Sequence, residues 1–127
     1  MIEFHDRTFI EATHTEQLRL HGGAPGLRDE GMLESALARP EQKHHYGESD
    51  LFVLAAAYLF GIAKNHPFID GNKRTAWVAA DLFLYFNGYS VEADPHDVIA
   101  FVLSVAAGDI DEAGAAMFFR DFADAIG

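Results

Sequence analysis

Apolar positions along most of the chain recur at three-and-four spacing, the period of helices that bury one face. Met32, Leu33, Ala36 and Leu37 mark one such face, and Ala115, Phe118, Phe119 and Phe122 mark another. Between them, Leu51 to Ala63 runs thirteen residues without a charge. It is apolar nearly all round, the pattern of a helix surrounded by others. Caps and breakers divide the chain into six helices. The first covers Arg7 to His21, entered at Asp6 and stopped by Gly22-Gly23. Asp29 caps a second, short helix that ends before Pro40, and Glu41 to Ser49 is a polar connection. Asp50 caps the third, which continues to about Asn65. Asn72 caps the fourth, which ends at Asn87-Gly88, and Tyr89-Ser90-Val91 is briefly extended. Asp94-Pro95 opens the fifth with a cap and a proline at its first position, and Gly108 stops it. The sixth spans about Asp111 to Ala125. No long run alternates polar and apolar residues. The predicted fold is therefore all-α, a compact bundle of about six helices around the buried third one.

Composition narrows the class. A chain of 127 residues, half of them apolar and eleven of them Phe, can bury a sound core as one domain over residues 1–127. Without cysteine it has neither disulfides nor thiolate metal sites, which suits a reducing cytoplasm. The N-terminus shows no basic stretch followed by an apolar run, so no export signal is expected. The uncharged run falls short of the ~20 residues a membrane span needs, so no membrane partner is expected. A net charge of −11 repels phosphate backbones at long range and argues against direct nucleic-acid binding.

One stretch stands apart. His66-Pro67-Phe68-Ile69-Asp70-Gly71-Asn72-Lys73-Arg74 puts a base, a carboxylate, an amide and two cations between two greasy helices. Charges so near a core need partners. Gly71 permits a sharp turn and a close approach of ligand to backbone. The amides around Asn72, Lys73 and Arg74 would be free donors at the positive end of a helix, a ready phosphate site. Lys73 and Arg74 add full charge, and Arg74 can grip phosphate oxygens in a fork. Asp70 would be repelled by bare phosphate but makes sense with Mg²⁺ between them. His66, four residues earlier, can take a proton from an attacking hydroxyl. Base, metal ligand and phosphate cradle together describe transfer of a phosphate-containing group.

This stretch resembles the signature of the Fic/Doc (Fido) family, His-Pro-Phe-x-Asp/Glu-Gly-Asn-x-Arg, at every defined position. Within the family the chain is similar to the Doc, or death-on-curing, toxins in length and in carrying Lys73 where AMP-transferring members have Gly. The upstream stretch from Gly22 to Leu37 also looks like the Doc-type N-terminal region. The resemblance implies a Fido fold with His66 as catalytic base and Asp70 as the Mg²⁺ ligand. Gly71, Asn72 and Lys73 would form the phosphate-binding turn, and Arg74 would pair with a nucleotide phosphate. AMP-transferring members carry a second Arg three residues after the first, and Trp77 stands there. The implied activity is that of a Ser/Thr kinase using ATP and Mg²⁺ on a translation factor, elongation factor Tu. AMP transfer of the Fic type is the alternative.

Many Fic proteins carry an inhibitory helix, Ser/Thr-x-x-x-Glu-Gly/Asn. The only Glu-Gly or Glu-Asn pair here, Glu30-Gly31, has Gly26 four residues before the Glu, so a separate antitoxin with a tail that folds into a groove is expected. Two other classes are open to such a chain. His5-Asp6 and His96-Asp97 are the dipeptide of all-α metal phosphohydrolases, although Asp is common at helix starts anyway. A non-catalytic binding module has no need of His66, Asp70 and Arg74 together. Phe68 and Trp77 are expected as core or groove wall, Lys64 as a surface lysine, and Arg28 and Glu34 in structural roles.

Overall fold

The structure, a computed structural model, describes residues 1–127. Its helices are α1 (Arg7–His21), α2 (Glu30–His45), α3 (Leu51–Asn65), α4 (Asn72–Phe86), α5 (Pro95–Ala107) and α6 (Glu112–Phe122). Two short strands, β1 (Tyr89–Val91) and β2 (Ala123–Ala125), complete it. The fold is all-α, and α3 is its centre. Leu54 to Leu59 and Gly61 to Ala63 are buried, and α2, α4, α5 and α6 pack around them. One cluster of 23 buried apolar residues joins these helices to α1 through Ile10. No helix is long and apolar enough to cross a membrane.

Asp starts five of the six helices. Asp6, Asp29, Asp50, Asp94 and Asp111 each accept a hydrogen bond from a first-turn N–H, satisfying a donor the helix cannot. Only α4 lacks such a side chain: its cap is Gly71, at φ 77°.

Three boundaries differ from the sequence expectation. The second helix runs through Pro40 to His45, so residues 41–45 are helical rather than part of a connection. Pro40 forfeits the bond its N–H would give Ala36. Its ring is instead buried with Leu33, Ala36 and Leu37, and Arg39 and Lys43 pair with Glu112 across the proline. The last helix stops at Phe122, and the next three residues pair antiparallel with Tyr89–Val91, Tyr89 facing Ala125. Partners 30 or more residues away thus take backbone groups that helical spacing assigned locally. The third difference concerns Asn72 and belongs to the site.

Candidate active site

The motif loop hangs from two helix ends. At the C-terminus of α3, His66 takes a left-handed conformation (φ 52°), the only non-glycine residue in the chain with positive φ. That conformation costs an L residue energy, so surrounding contacts must hold it. Arg28 does so: its Nε donates to the His66 carbonyl at 2.6 Å and its Nη2 to the Asn65 carbonyl at 2.8 Å. These carbonyls are orphans of the helix end, where a cation is favoured. Backbone bonds add to the clamp. Arg28 and Asp29 N–H donate to the Pro67 carbonyl, and Ile69 N–H donates to that of Gly26. Phe68 is 2% exposed and stacks on the buried ring of His14, 3.8 Å between centroids. His14 Nε2 in turn lies 2.8 Å from the Asp70 carbonyl, to which it donates. Phe68 is therefore the expected anchor.

Asn72 does not cap α4. It is the first helical residue, its side chain almost wholly buried, and Oδ1 accepts from Phe68 N–H at 2.9 Å. Its Nδ2 donates to the Phe68 carbonyl at 2.8 Å and lies 3.2 Å from His66 Nδ1. The amide looks back across the loop because Gly71 has already made the turn into the helix. As a result the backbone N–H groups of Asn72, Lys73 and Arg74 have no protein acceptor, and the first ladder bond is Thr75 N–H to Gly71.

Asp70 is exposed. Its carboxylate accepts from Ala24 N–H at 3.1 Å and Gly71 N–H at 2.8 Å. Those two bonds, Ala24 first, hold it below the usual carboxylate range, with smaller help from the charges of Arg74 and His14. Gly23 crosses so close above that a Cβ there would stand 2.8 Å from the Asp70 carboxylate. His66 is exposed, and with residues 69–74 it lines a cleft of about 200 Å³.

Charge completes the site. Of the nine Lys and Arg, five form ion pairs with carboxylates: Arg7, Arg19, Arg39, Lys43 and Arg120. The four without are Arg28, Lys64, Lys73 and Arg74: Lys73 and Arg74 belong to the motif, Lys64 precedes it, and Arg28 is bonded to its first residue. An acidic molecule has thus left the Lys and Arg side chains that face no carboxylate partner near one set of free amides, and Lys73 and Arg74 at the helix start suit a polyanion. Beside it lies an apolar groove of about 460 Å³ between α1, α4 and α5, bordered by Lys73, Arg74 and Trp77. Trp77 stacks on Phe119, as a groove wall would.

The structure brings His66, Asp70, Gly71, Asn72, Lys73 and Arg74 together. It does not bring together the two His-Asp pairs. His5 is buried with Nε2 donating to the Ala79 carbonyl, Asp6 caps α1, and Asp94 caps the helix on which His96 and Asp97 are exposed. Glu34 pairs with Arg7 at 2.6 Å, and Lys64 is a surface lysine at the end of α3 whose Nζ lies 3.4 Å from the Ala106 carbonyl. Sequence reasoning missed His14, Gly23 and Ala24 around the loop, and assigned Arg28 no particular partner. The Gly22-Gly23-x-x-Gly26 run was the available signal, since such a stretch folds closely over another segment.

The Fic/DOC family model matches residues 4–84, so the chain belongs to that family. Among curated relatives, it is 49% identical over 76 residues to Toxin Doc of Mycolicibacterium smegmatis, a match covering 58% of each chain. It is 37% identical over 110 residues to Protein kinase doc of Escherichia phage P1, covering 86% of each.

Proposed function

We propose that this protein is the toxin of a toxin–antitoxin pair, a protein Ser/Thr kinase that moves the γ-phosphoryl group of ATP to a hydroxyl of a translation factor. One observation carries the proposal: three acceptorless amides and unpaired cations stand beside an exposed imidazole and an ionised carboxylate. His66 takes the hydroxyl proton as the oxygen attacks. The N–H groups of Asn72, Lys73 and Arg74 and the two side-chain cations orient the phosphates and balance the charge that builds on them. Asp70 fits Mg²⁺, which favours one or two carboxylates with phosphate oxygens and water over an all-protein cage, and no cluster of three ligating side chains is needed. When bound, Mg²⁺ would neutralise phosphate charge. Lys73 and Trp77, in place of the Gly and second Arg of AMP-transferring members, favour phosphoryl over adenylyl transfer. The names of the two relatives lend support to the toxin and kinase roles. A cytoplasmic setting follows from such a target, and the apolar groove beside Lys73 suits the tail of an antitoxin.

The test is mass spectrometry of elongation factor Tu, the target the resemblance implies, after incubation with the chain, ATP and Mg²⁺. A phosphoryl adduct is expected; an adenylyl adduct would instead support AMP transfer, and no adduct would reject this target. Replacing His66 with Ala should slow transfer by ~10²–10⁴-fold with the fold intact.

A further inference from the structure

The hydrogen bonds of Asn72 determine where the proton on His66 sits. A backbone N–H only donates and a carbonyl only accepts, so the paired bonds to Phe68 settle which end of the Asn72 amide is oxygen. One N–H of Nδ2 is spent on the Phe68 carbonyl. The other remains for His66 Nδ1, 3.2 Å away. An amide nitrogen has no lone pair to offer, so Nδ1 is the acceptor. In a neutral imidazole one nitrogen carries the proton and the other accepts. The proton is therefore on Nε2.

We propose that Asn72 is a positioning residue that holds resting His66 as the Nε2–H tautomer and covers its one lone pair. The proposal rests on His66 being the base of the transfer described above. Its consequence holds whichever nitrogen meets the alcohol. Accepting at Nδ1 requires the alcohol to displace the Asn72 N–H. Accepting at Nε2 requires the ring proton to move first to Nδ1, which displaces the same N–H. In either case the Asn72–Nδ1 bond opens before the base works. The alcohol O–H bond then breaks as the new ring N–H forms, and the oxygen pair bonds to the γ-phosphorus. The bond from that phosphorus to the bridging oxygen breaks, and ADP keeps the electron pair. His66 is left as an imidazolium that returns one proton to solvent. The base is thus exposed to solvent yet covered until substrate rearranges its neighbour.

The test needs no activity, so it can fail or succeed independently of the kinase assignment. In uniformly ¹⁵N-labelled full chain, in buffer alkaline enough to keep imidazoles neutral, long-range proton–nitrogen correlation reads each ring. The His66 signals are those lost in His66→Gln. Expected are a protonated Nε2, an unprotonated Nδ1, and a nitrogen–nitrogen coupling across the hydrogen bond from Asn72 Nδ2. Asn72→Ala should abolish the coupling and let the Nδ1–H form appear. Asn72→Asp, whose carboxylate accepts, should make Nδ1–H dominant. Unchanged ring signals of His5 and His14 report that the variants are folded. A wild-type His66 protonated on Nδ1, or a folded Asn72 variant with the tautomer unchanged, overturns the proposal. Should neither variant fold, presence or absence of the coupling in the wild-type chain decides.

Discussion

His66 sits where an L residue is strained, and Arg28 is what makes that position tenable. The guanidinium spans two adjacent carbonyls, a task suited to its planar fork and not to the point charge of a lysine. Arg28→Ala should cost on the order of 1 kcal/mol of stability, since the bonds are solvent-exposed and the net worth of each is modest. Activity should fall more steeply, by up to ~10²-fold, because small misplacements of a reacting group are expensive. Arg28→Lys should recover only part of that activity. Urea unfolding and initial transfer rates measure the two effects; a parallel loss in both would mean that Arg28 supports the fold alone. That partnership was not legible in the chain, because the carbonyls lie 37 and 38 residues away. The motif residues were legible, since six of the candidate groups lie within nine consecutive positions.

The helices themselves were readable from their caps and periodicity, with errors where a neighbouring element intervened. At the crossing of α2 and α3, Gly61 lies tightly against Ala36: a Cβ there would stand 3.3 Å from both the Ala36 Cα and its carbonyl oxygen. The neighbour is backbone and cannot swing aside. Gly61→Ala would gain up to ~1 kcal/mol of helix propensity, but overpacking typically costs ~1–3 kcal/mol. A net loss of about 1 kcal/mol is expected from those opposing terms. A denaturation midpoint higher than wild type would show that the helices separate without penalty. Nothing in the local sequence distinguishes Gly61 from a helix-weakening accident. Its meaning comes from the α2 helix laid against it, as does the persistence of that helix through Pro40.

For the molecule as a whole, pH acts through a histidine remote from the motif cleft. His5 fastens the N-terminal segment to α3 and α4: Tyr58 Oη accepts from its N–H, and its Nε2 donates to Ala79. Burial lowers its pKa below 6.5, more than the Ala79 bond and the Asp6 charge raise it. With the folded-state value below the unfolded one, the unfolded chain binds the proton more readily across that window. The contribution of His5 is complete above 6.5 and is lost as pH falls from there through the folded value, by at most ~1.4 kcal/mol per pH unit. Asp81, raised by burial, works in the opposite sense. Urea midpoints should therefore drop between about pH 7.5 and about pH 5.5, and less so in His5→Gln. An equal drop in the variant would assign the effect elsewhere.

By itself the sequence determined the helices, their Asp caps, the buried central segment and the chemistry concentrated in residues 66–74, because each depends on neighbours a few positions apart. Only the tertiary structure decided that Asn72 braces the loop instead of capping a helix, and that Ala24 and Gly71 share the Asp70 carboxylate. It also decided that the C-terminal residues leave their helix to pair with Tyr89–Val91. Those outcomes turn on backbone donors and acceptors, which every residue but proline carries alike, and their partners are selected by how the helices pack.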